Sequence, residues 1–165
     1  MTKDAKQPAQ ALIGACLRGS GKTLAVAESC TGGLISHFLT TVPGASEYYL
    51  GSVTSYAVRI KEQLLGVPGS LVESEGIVSA AVAAAMAEGI RKLTGATYSV
   101  ATTGWADAYG DEHEPAGTCW VAVSGPDGTI TRRLTSHRSR ITNIRRFARL
   151  ALETLAAYIS KSLAC

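Results

Sequence analysis

The chain has 165 residues, of which 46% are hydrophobic and 18% are charged, and its formal net charge is +3. This length suits one domain with a substantial core, and the composition excludes an intrinsically disordered chain. The small net charge does not indicate nucleic acid as a partner, and no apolar run reaches the length that crosses a membrane.

The first half of the chain alternates between helix and strand patterns. Residues 5–18 predict a helix, residues 23–28 a buried strand, and residues 32–41 a second helix. A strand over 50–56 and a short helix over 57–65 follow, and residues 70–76 are predicted to be a loop. The tripeptide Gly21-Lys22-Thr23 is not a P-loop, because Cys16 stands where that motif needs its first glycine and a helix precedes the strand.

The second half predicts one long helix, a late hairpin and a closing helix. Residues 79–93 are alanine-rich, with Ser79 as the expected N-cap. A strand over 98–103 and a polar loop over 104–117 precede two strands, 118–124 and 128–136, around a turn at 125–128. Residues 141–160 close the chain as a helix. The whole pattern predicts a single α/β domain over 1–165, a three-layer sandwich in which helices flank a mixed, mostly parallel sheet.

The four cysteines have no paired spacing such as Cys-x-x-Cys; they are Cys16, Cys30, Cys119 and Cys165. The polar N-terminus shows no secretory signal. We therefore expect reduced thiols rather than a disulfide framework, in a cytoplasmic protein.

The stretch Leu24–Gly33 predicts a strand that turns abruptly into a helix, with Ser29 at the corner. The free N–H groups of a helix start can hold a phosphate, a carboxylate or a developing oxyanion. A serine nucleophile also needs a base, and none of the three histidines has a convincing acidic partner. A lysine of lowered pKa is the other solution. Lys61 lies five residues after Tyr56 across a strand end and a helix start, although this spacing equally fits a solvated surface lysine.

Three other features have competing interpretations. Cys30 is either a second nucleophile at the helix start or a small packing residue. The acidic stretch Asp107–Glu114 is either a metal site or, as we favour, a polar loop. The arginines between Arg132 and Arg149 form either a solvated face or, through one or two of them, part of a phosphate site.

Several segments resemble one family. The run Ala27-Glu-Ser-Cys-Thr-Gly-Gly33 is similar to the signature of the CinA C-terminal domain family, the nicotinamide-nucleotide amidohydrolases. Residues 42–46, 56–67 and 76–79 also match that family's pattern, and Pro115–Ala122 resembles its Pro-Val-Gly-Thr-Val-Trp strand. The resemblance extends over about residues 8–160.

The resemblance implies hydrolysis of the carboxamide of nicotinamide mononucleotide to nicotinate mononucleotide and ammonia, in pyridine-nucleotide salvage. It implies a homo-oligomer that needs no cofactor or metal and has a small-molecule nucleotide as its substrate. Lys61, helped by Tyr56, would take the proton of Ser29, and N–H groups of residues 30–33 would hold the oxyanion. The implied substrate-binding residues are Cys30, Thr31, Gly32, Gly33, Thr103, Gly104 and Arg140.

Two departures from the family pattern bear on the substrate. Ala57-Val58 replaces a Ser-Asn pair, and Gly104–Asp111 replaces a glycine-rich run with a segment that contains Asp107. Acidic side chains disfavour a phosphate, although an arginine is kept at Arg140. Three hypotheses follow: a nicotinamide mononucleotide amidohydrolase, an amidohydrolase of the same mechanism with a less phosphorylated substrate, or a protein that binds a nucleotide-like ligand or a partner without turnover.

Overall fold

The computed structural model describes residues 7–165, so the beginning of the predicted first helix lies outside the described residues. Five strands form one mixed sheet in the order β2-β1-β3-β4-β5. Neighbours are parallel between β2, β1 and β3, and antiparallel from β3 to β5, so β4 alone runs opposite to the others. The strands are β1 (Leu24–Glu28), β2 (Tyr49–Thr54), β3 (Tyr98–Gly104), β4 (Thr118–Gly125) and β5 (Gly128–Thr135).

Helices cover both faces of this sheet, as the predicted three-layer sandwich requires. One face packs against α1 (Ala9–Leu17), α2 (Leu34–Thr40) and α6 (Arg140–Leu163). The other face packs against α3 (Val58–Leu65), α4 (Gly69–Glu75) and α5 (Ala80–Thr94). The sequence prediction of an α/β fold with a mixed, flanked sheet is therefore confirmed.

Every residue of β1 is buried, because the strand lies between two neighbours and under helices on both sides. Its larger side chains, Leu24 and Val26, belong to the first core, and Ala25 and Ala27 belong to the second. The small residues face the alanine-rich α5, which lets that helix pack closely on the sheet. Ser79 caps α5 as predicted, since its hydroxyl accepts a hydrogen bond from the Val82 N–H at 3.2 Å.

The prediction of a loop over residues 70–76 is wrong, because α4 occupies most of that segment. Pro68 precedes the helix with φ of −64°, and its carbonyl accepts hydrogen bonds from the N–H groups of Leu71 and Val72. Leu71 and Val72 also pack against the second core. Two apolar contacts thus stabilise a helix whose sequence is otherwise polar.

The prediction of four reduced thiols is also wrong for one pair. Cys16 in α1 and Cys165 after α6 form a disulfide bond across 149 residues of sequence. Spacing could not reveal this pair, because the two cysteines meet only when α1 packs against α6. Cys30 and Cys119 remain free and buried.

The carboxyl ends of the three parallel strands meet at one edge of the sheet, where open α/β sheets commonly place their ligands. Ser29, Ser55 and the end of β3 lie at this edge. Within residues 7–165 no helix is both long and apolar enough to cross a lipid bilayer.

Candidate active site

Ser29 follows the last residue of β1 and begins the turn that leads into α2. Gly32 and Gly33 in this turn have φ values of 60° and 100°, a conformation that glycine adopts without steric cost. The chain therefore passes from strand to helix within a few residues. The Ser29 side chain is nearly buried, yet it lines a pocket of about 340 Å³.

The carboxylate of Glu28 holds this turn together. Glu28 is fully buried, and its two oxygens accept five hydrogen bonds of 2.6–3.1 Å. The donors are the N–H groups of Gly33, Ile35 and Ser36 and the hydroxyls of Thr31 and Ser36. Every partner is a donor, which suits an ionised carboxylate, and the beginning of α2 adds the favourable end of its dipole.

Lys61 comes from α3 and reaches Ser29 from the other side of the turn. Its side chain is only 1% exposed, so the alternative of a solvated surface lysine is wrong. Its Nζ donates to Ser29 Oγ at 2.9 Å and to the backbone carbonyls of Ser55 and Tyr56 at 2.5 and 3.3 Å. These three acceptors satisfy all the donors of a buried ammonium group.

Burial lowers the pKa of Lys61 to about 8, because the charged amine loses its hydration. The positions of its acceptors determine what the neutral form can do. Two N–H bonds can stay on the carbonyls of Ser55 and Tyr56, which leaves the nitrogen lone pair directed at Ser29 Oγ. A neutral Lys61 in this position can accept the serine proton.

The side chain of Tyr56 lies on the rim of the pocket and is 63% exposed. Its hydroxyl accepts a hydrogen bond from Arg140 Nη2 at 3.0 Å, and among the described residues it has no hydrogen bond to Ser29 or to the Lys61 amine. Tyr56 therefore contacts the Lys61 amine through its backbone carbonyl and not through its phenol.

Arg140 connects two sides of the rim. It begins α6, and its guanidinium contacts both the Tyr56 hydroxyl and Asp107 Oδ2, the latter at 3.3 Å. The hydrogen bond that Arg140 donates to the Tyr56 hydroxyl is the main cause that raises the pKa of Arg140, with Asp107 adding to it. Buried Asn143 in the next turn donates to the Ala106 carbonyl at 2.9 Å, which ties α6 to the loop that carries Asp107.

The rest of the pocket wall is mostly apolar or aromatic, and it includes Val58, Ile77, Trp105 and Tyr109. In the described part of the chain, its charged members are Lys61, Asp107 and Arg140, and no histidine lines it. A small pocket with an apolar wall and a few convergent polar groups is typical of a site for a small organic molecule.

The carboxylates of the acidic loop after β3 form hydrogen bonds with other groups of the protein. Asp111 Oδ1 accepts the N–H groups of His113 and Glu114, and Glu114 accepts from the Trp120 indole and from Arg133. Across residues 7–165, no group of three or more His, Cys, Asp or Glu side chains is arranged to hold a metal ion. The internal contacts favour the polar-loop interpretation.

Comparison with known proteins identifies the family. The profile of the CinA C-terminal domain matches residues 6–159. The chain belongs to the CinA C-terminal domain family. A CinA-like protein of Desulfosudis oleivorans is 45% identical over 154 residues, which are 92% of this chain and 37% of that protein. A CinA-like protein of Frankia casuarinae is 52% identical over 121 residues, 72% of this chain and 28% of that protein.

Solved structures agree with this assignment over nearly the whole chain. The competence damage-inducible protein A of Klebsiella pneumoniae has a TM-score of 0.87 at 29% identity, with 92% of this chain and 95% of that chain covered. A CinA superfamily protein of Enterobacter cloacae has a TM-score of 0.90 at 26% identity and covers 97% of both chains. The chain spans 28% and 37% of the length of the two curated relatives above, so it corresponds to one part of those proteins.

The structure divides the predicted substrate-binding residues of this CinA domain into two groups. Cys30, Thr103, Gly104 and Arg140 line the pocket, together with Ser29, Tyr56 and Lys61. The other three predicted residues do not line it; they are Thr31, Gly32 and Gly33.

The N–H groups of the turn are only partly available to a ligand. The Gly32 N–H donates to the Ser29 carbonyl and the Gly33 N–H donates to Glu28. Within residues 7–165, the N–H groups of Cys30 and Thr31 have no hydrogen-bond acceptor. Of these two residues only Cys30 lines the pocket, so the expected anion site of residues 30–33 is reduced to one N–H donor next to Ser29.

The sequence analysis missed three residues that position the site. Glu28 carries a detectable signal, because a charged residue that ends an apolar strand must find partners at the turn. Asn143 has a weaker signal, a polar residue on the apolar stripe of the last helix. Ser55 has none, because it acts through its backbone carbonyl.

We predict that Glu28→Gln lowers the free energy of unfolding by about 3 kcal/mol, because an amide brings N–H groups to a position where every partner is a donor. Urea denaturation measures the change. Glu73→Gln removes an exposed charge from α4 and should alter the free energy by less than about 0.5 kcal/mol. Equal stability of the two variants would contradict the role given to Glu28.

Proposed function

We propose that this CinA domain is an amidohydrolase that converts nicotinamide mononucleotide to nicotinate mononucleotide and ammonia. Ser29 is the nucleophile and Lys61 is the general base. The observation that carries the proposal is the hydrogen bond of 2.9 Å between Lys61 Nζ and Ser29 Oγ at the wall of the pocket. The choice of substrate rests on the resemblance to the nicotinamide-nucleotide amidohydrolases.

In the first half of the reaction, neutral Lys61 takes the proton of Ser29 as Oγ attacks the carboxamide carbon. The oxygen of the tetrahedral intermediate receives a hydrogen bond from the N–H group of Cys30, which lines the pocket. Lys61 then gives its proton to the leaving nitrogen, and ammonia departs from an ester between the nicotinoyl group and Ser29.

In the second half, a water molecule takes the place of ammonia beside Lys61. The amine removes a proton from the water, which attacks the ester carbon. The same proton returns to Ser29 Oγ as the carboxylic acid leaves. The sum is one amide and one water converted to one acid and one ammonia, and the base begins each half in its neutral form.

Ammonia release from nicotinamide mononucleotide tests the proposal directly. We expect Ser29→Ala and Lys61→Met to lower the rate by roughly 10³-fold or more, because each removes one half of a unit that acts together. Ser74→Ala and Lys92→Met change the same residue types at exposed positions and should keep the wild-type rate. Release that survives Ser29→Ala would exclude the serine mechanism.

The pH dependence provides an independent test. With a Lys61 pKa of about 8, kcat/KM should rise with pH, pass its midpoint near 8 and become constant above it. The sign follows from the need for the neutral amine, so at pH 6 the rate should be about a hundredfold below the plateau. A midpoint near 6.5 would instead indicate a histidine.

The ion pair on the rim favours the second hypothesis, an amide substrate with less phosphate. Among residues 7–165, Arg140 is the only cation of the pocket wall besides buried Lys61, and Asp107 already contacts it at 3.3 Å. A phosphate must therefore compete with Asp107 for Arg140. Nicotinamide riboside has the same carboxamide without the phosphate, so the ratio of the two substrates separates these hypotheses.

We predict that Asp107→Asn raises kcat/KM for nicotinamide mononucleotide about two- to fivefold relative to nicotinamide riboside, since an exposed ion pair contributes up to about 1 kcal/mol. Asp127→Asn makes the same change in charge at the other end of β4 and should leave the ratio unchanged. An unaltered ratio in Asp107→Asn would show that the rim pair does not select for phosphate.

A further inference from the structure

Two free thiols lie close together beside the turn that follows Ser29, which we call the nucleophile turn. The sulfur atoms of Cys30 and Cys119 are 3.8 Å apart, although 89 residues separate them in the sequence. Cys30 follows Ser29 and lines the pocket, whereas Cys119 lies in the interior of β4 and is fully buried. Cys30 thus borders the pocket, whereas Cys119 lies deeper in the core.

The absence of a side chain at Gly104 leaves space for the two thiols. A Cβ atom at this position would lie 2.9 Å from the Cα of Cys119 and 3.0 Å from the sulfur of Cys30. Any larger residue would therefore separate the sulfurs. In the family pattern that Pro115–Ala122 resembles, a valine stands where this chain has Cys119, so the second thiol is a departure from that pattern.

We propose that Cys30 and Cys119 form a modification site, at which a small peroxide converts the two thiols to a disulfide and thereby inactivates Ser29. The loss of activity rests on the proposed function. The formation of the disulfide does not.

The chemistry needs one peroxide and both thiols. The sulfur of Cys30 attacks one oxygen of hydrogen peroxide, the O–O bond breaks, and water leaves behind a sulfenic acid. The sulfur of Cys119 then attacks the sulfur of Cys30, forms the S–S bond and releases a second water, which carries the remaining protons. Two thiols are oxidised by two electrons and one peroxide is reduced to two waters.

The environments of the two cysteines determine which thiol reacts first with the peroxide. Burial raises the pKa of Cys119, so its thiolate is scarce and it is poorly suited to react first. Cys30 borders the pocket, from which a peroxide can approach it. Cys30 is therefore the attacking thiol and Cys119 the resolving one.

We expect disulfide formation to displace the nucleophile turn. The sulfurs have to approach from 3.8 Å to about 2.05 Å. Cys119 is paired on both sides, with Gly104 of β3 and Leu134 of β5, so its backbone resists movement. The shift therefore falls on the segment Ser29–Thr31, where a misplacement of about 1 Å can lower a rate a hundredfold.

Tryptic mapping of the peroxide-treated protein tests the modification without reference to activity. Cleavage places Cys30 in peptide 23–59 and Cys119 in peptide 93–132, and neither peptide contains another cysteine. Wild-type protein that is reduced, freed of reductant and treated with hydrogen peroxide should yield these two peptides joined. Its rate of ammonia release should fall about tenfold or more and return with dithiothreitol.

Cys119→Val is the matched control. It should keep the rate of the reduced protein, form no joined peptide and lose the reversible inhibition. Reversible inhibition of Cys119→Val equal to that of wild type would overturn the proposal, because oxidation of Cys30 alone would then suffice. Absence of the joined peptide from treated wild type would also overturn it.

Hydrogen exchange tests the disulfide proposal independently of the proposed amidohydrolase activity. Displacement of the turn should accelerate exchange at the N–H groups of Gly33, Ile35 and Ser36, which Glu28 holds. If the reduced protein releases no ammonia, the proposed function fails, while the joined peptide and faster exchange still support the modification. A joined peptide with unchanged exchange would overturn the effect on the turn.

Discussion

The site depends on one buried carboxylate. Glu28 lies where β1 ends, and burial of an ion costs several kcal/mol unless its oxygens find partners. The turn after β1 supplies five donors, and α2 begins on them. This network fixes the path from strand to helix, and with it the position of Ser29. It also occupies the Gly33 N–H, one of the four N–H groups of residues 30–33 that the sequence had offered to a ligand.

Lys61 is the second constraint. A lysine in a helix of eight residues would ordinarily extend into water, yet here the carbonyls of Ser55 and Tyr56 hold it next to Ser29. The same burial that lowers its pKa also removes water from around it. A lysine with these contacts is prepared to exchange a proton with the serine, and the parallel arrangement of β1 and β2 brings the two residues together.

The rim of the pocket is where this chain departs from the family pattern. Asp107 stands in the segment that replaces the glycine-rich run, and it pairs with the arginine that the family pattern keeps. The proposed nucleophile and base are thus combined with an altered charge balance at the entrance of the pocket. Cys119 is a further departure behind the same turn, so the proposed substrate selection and the proposed redox sensitivity both involve residues outside the Ser29–Lys61 pair.

The sequence alone determined the fold class, the family and the position of Ser29. Apolar runs, glycines and caps act over a few residues, so they predict the buried β1, the cap at Ser79 and the turn at Gly32-Gly33. The short α4 was missed, because its stability comes from packing and not from its own residues.

Only the tertiary structure decided what reaches Ser29. It buried Lys61, directed the Tyr56 phenol to Arg140 and not to the amine, and joined Cys16 to Cys165. It also placed Cys30 against Cys119. These contacts join residues that are far apart in the chain or act through backbone atoms, and neither kind leaves a local pattern in the sequence.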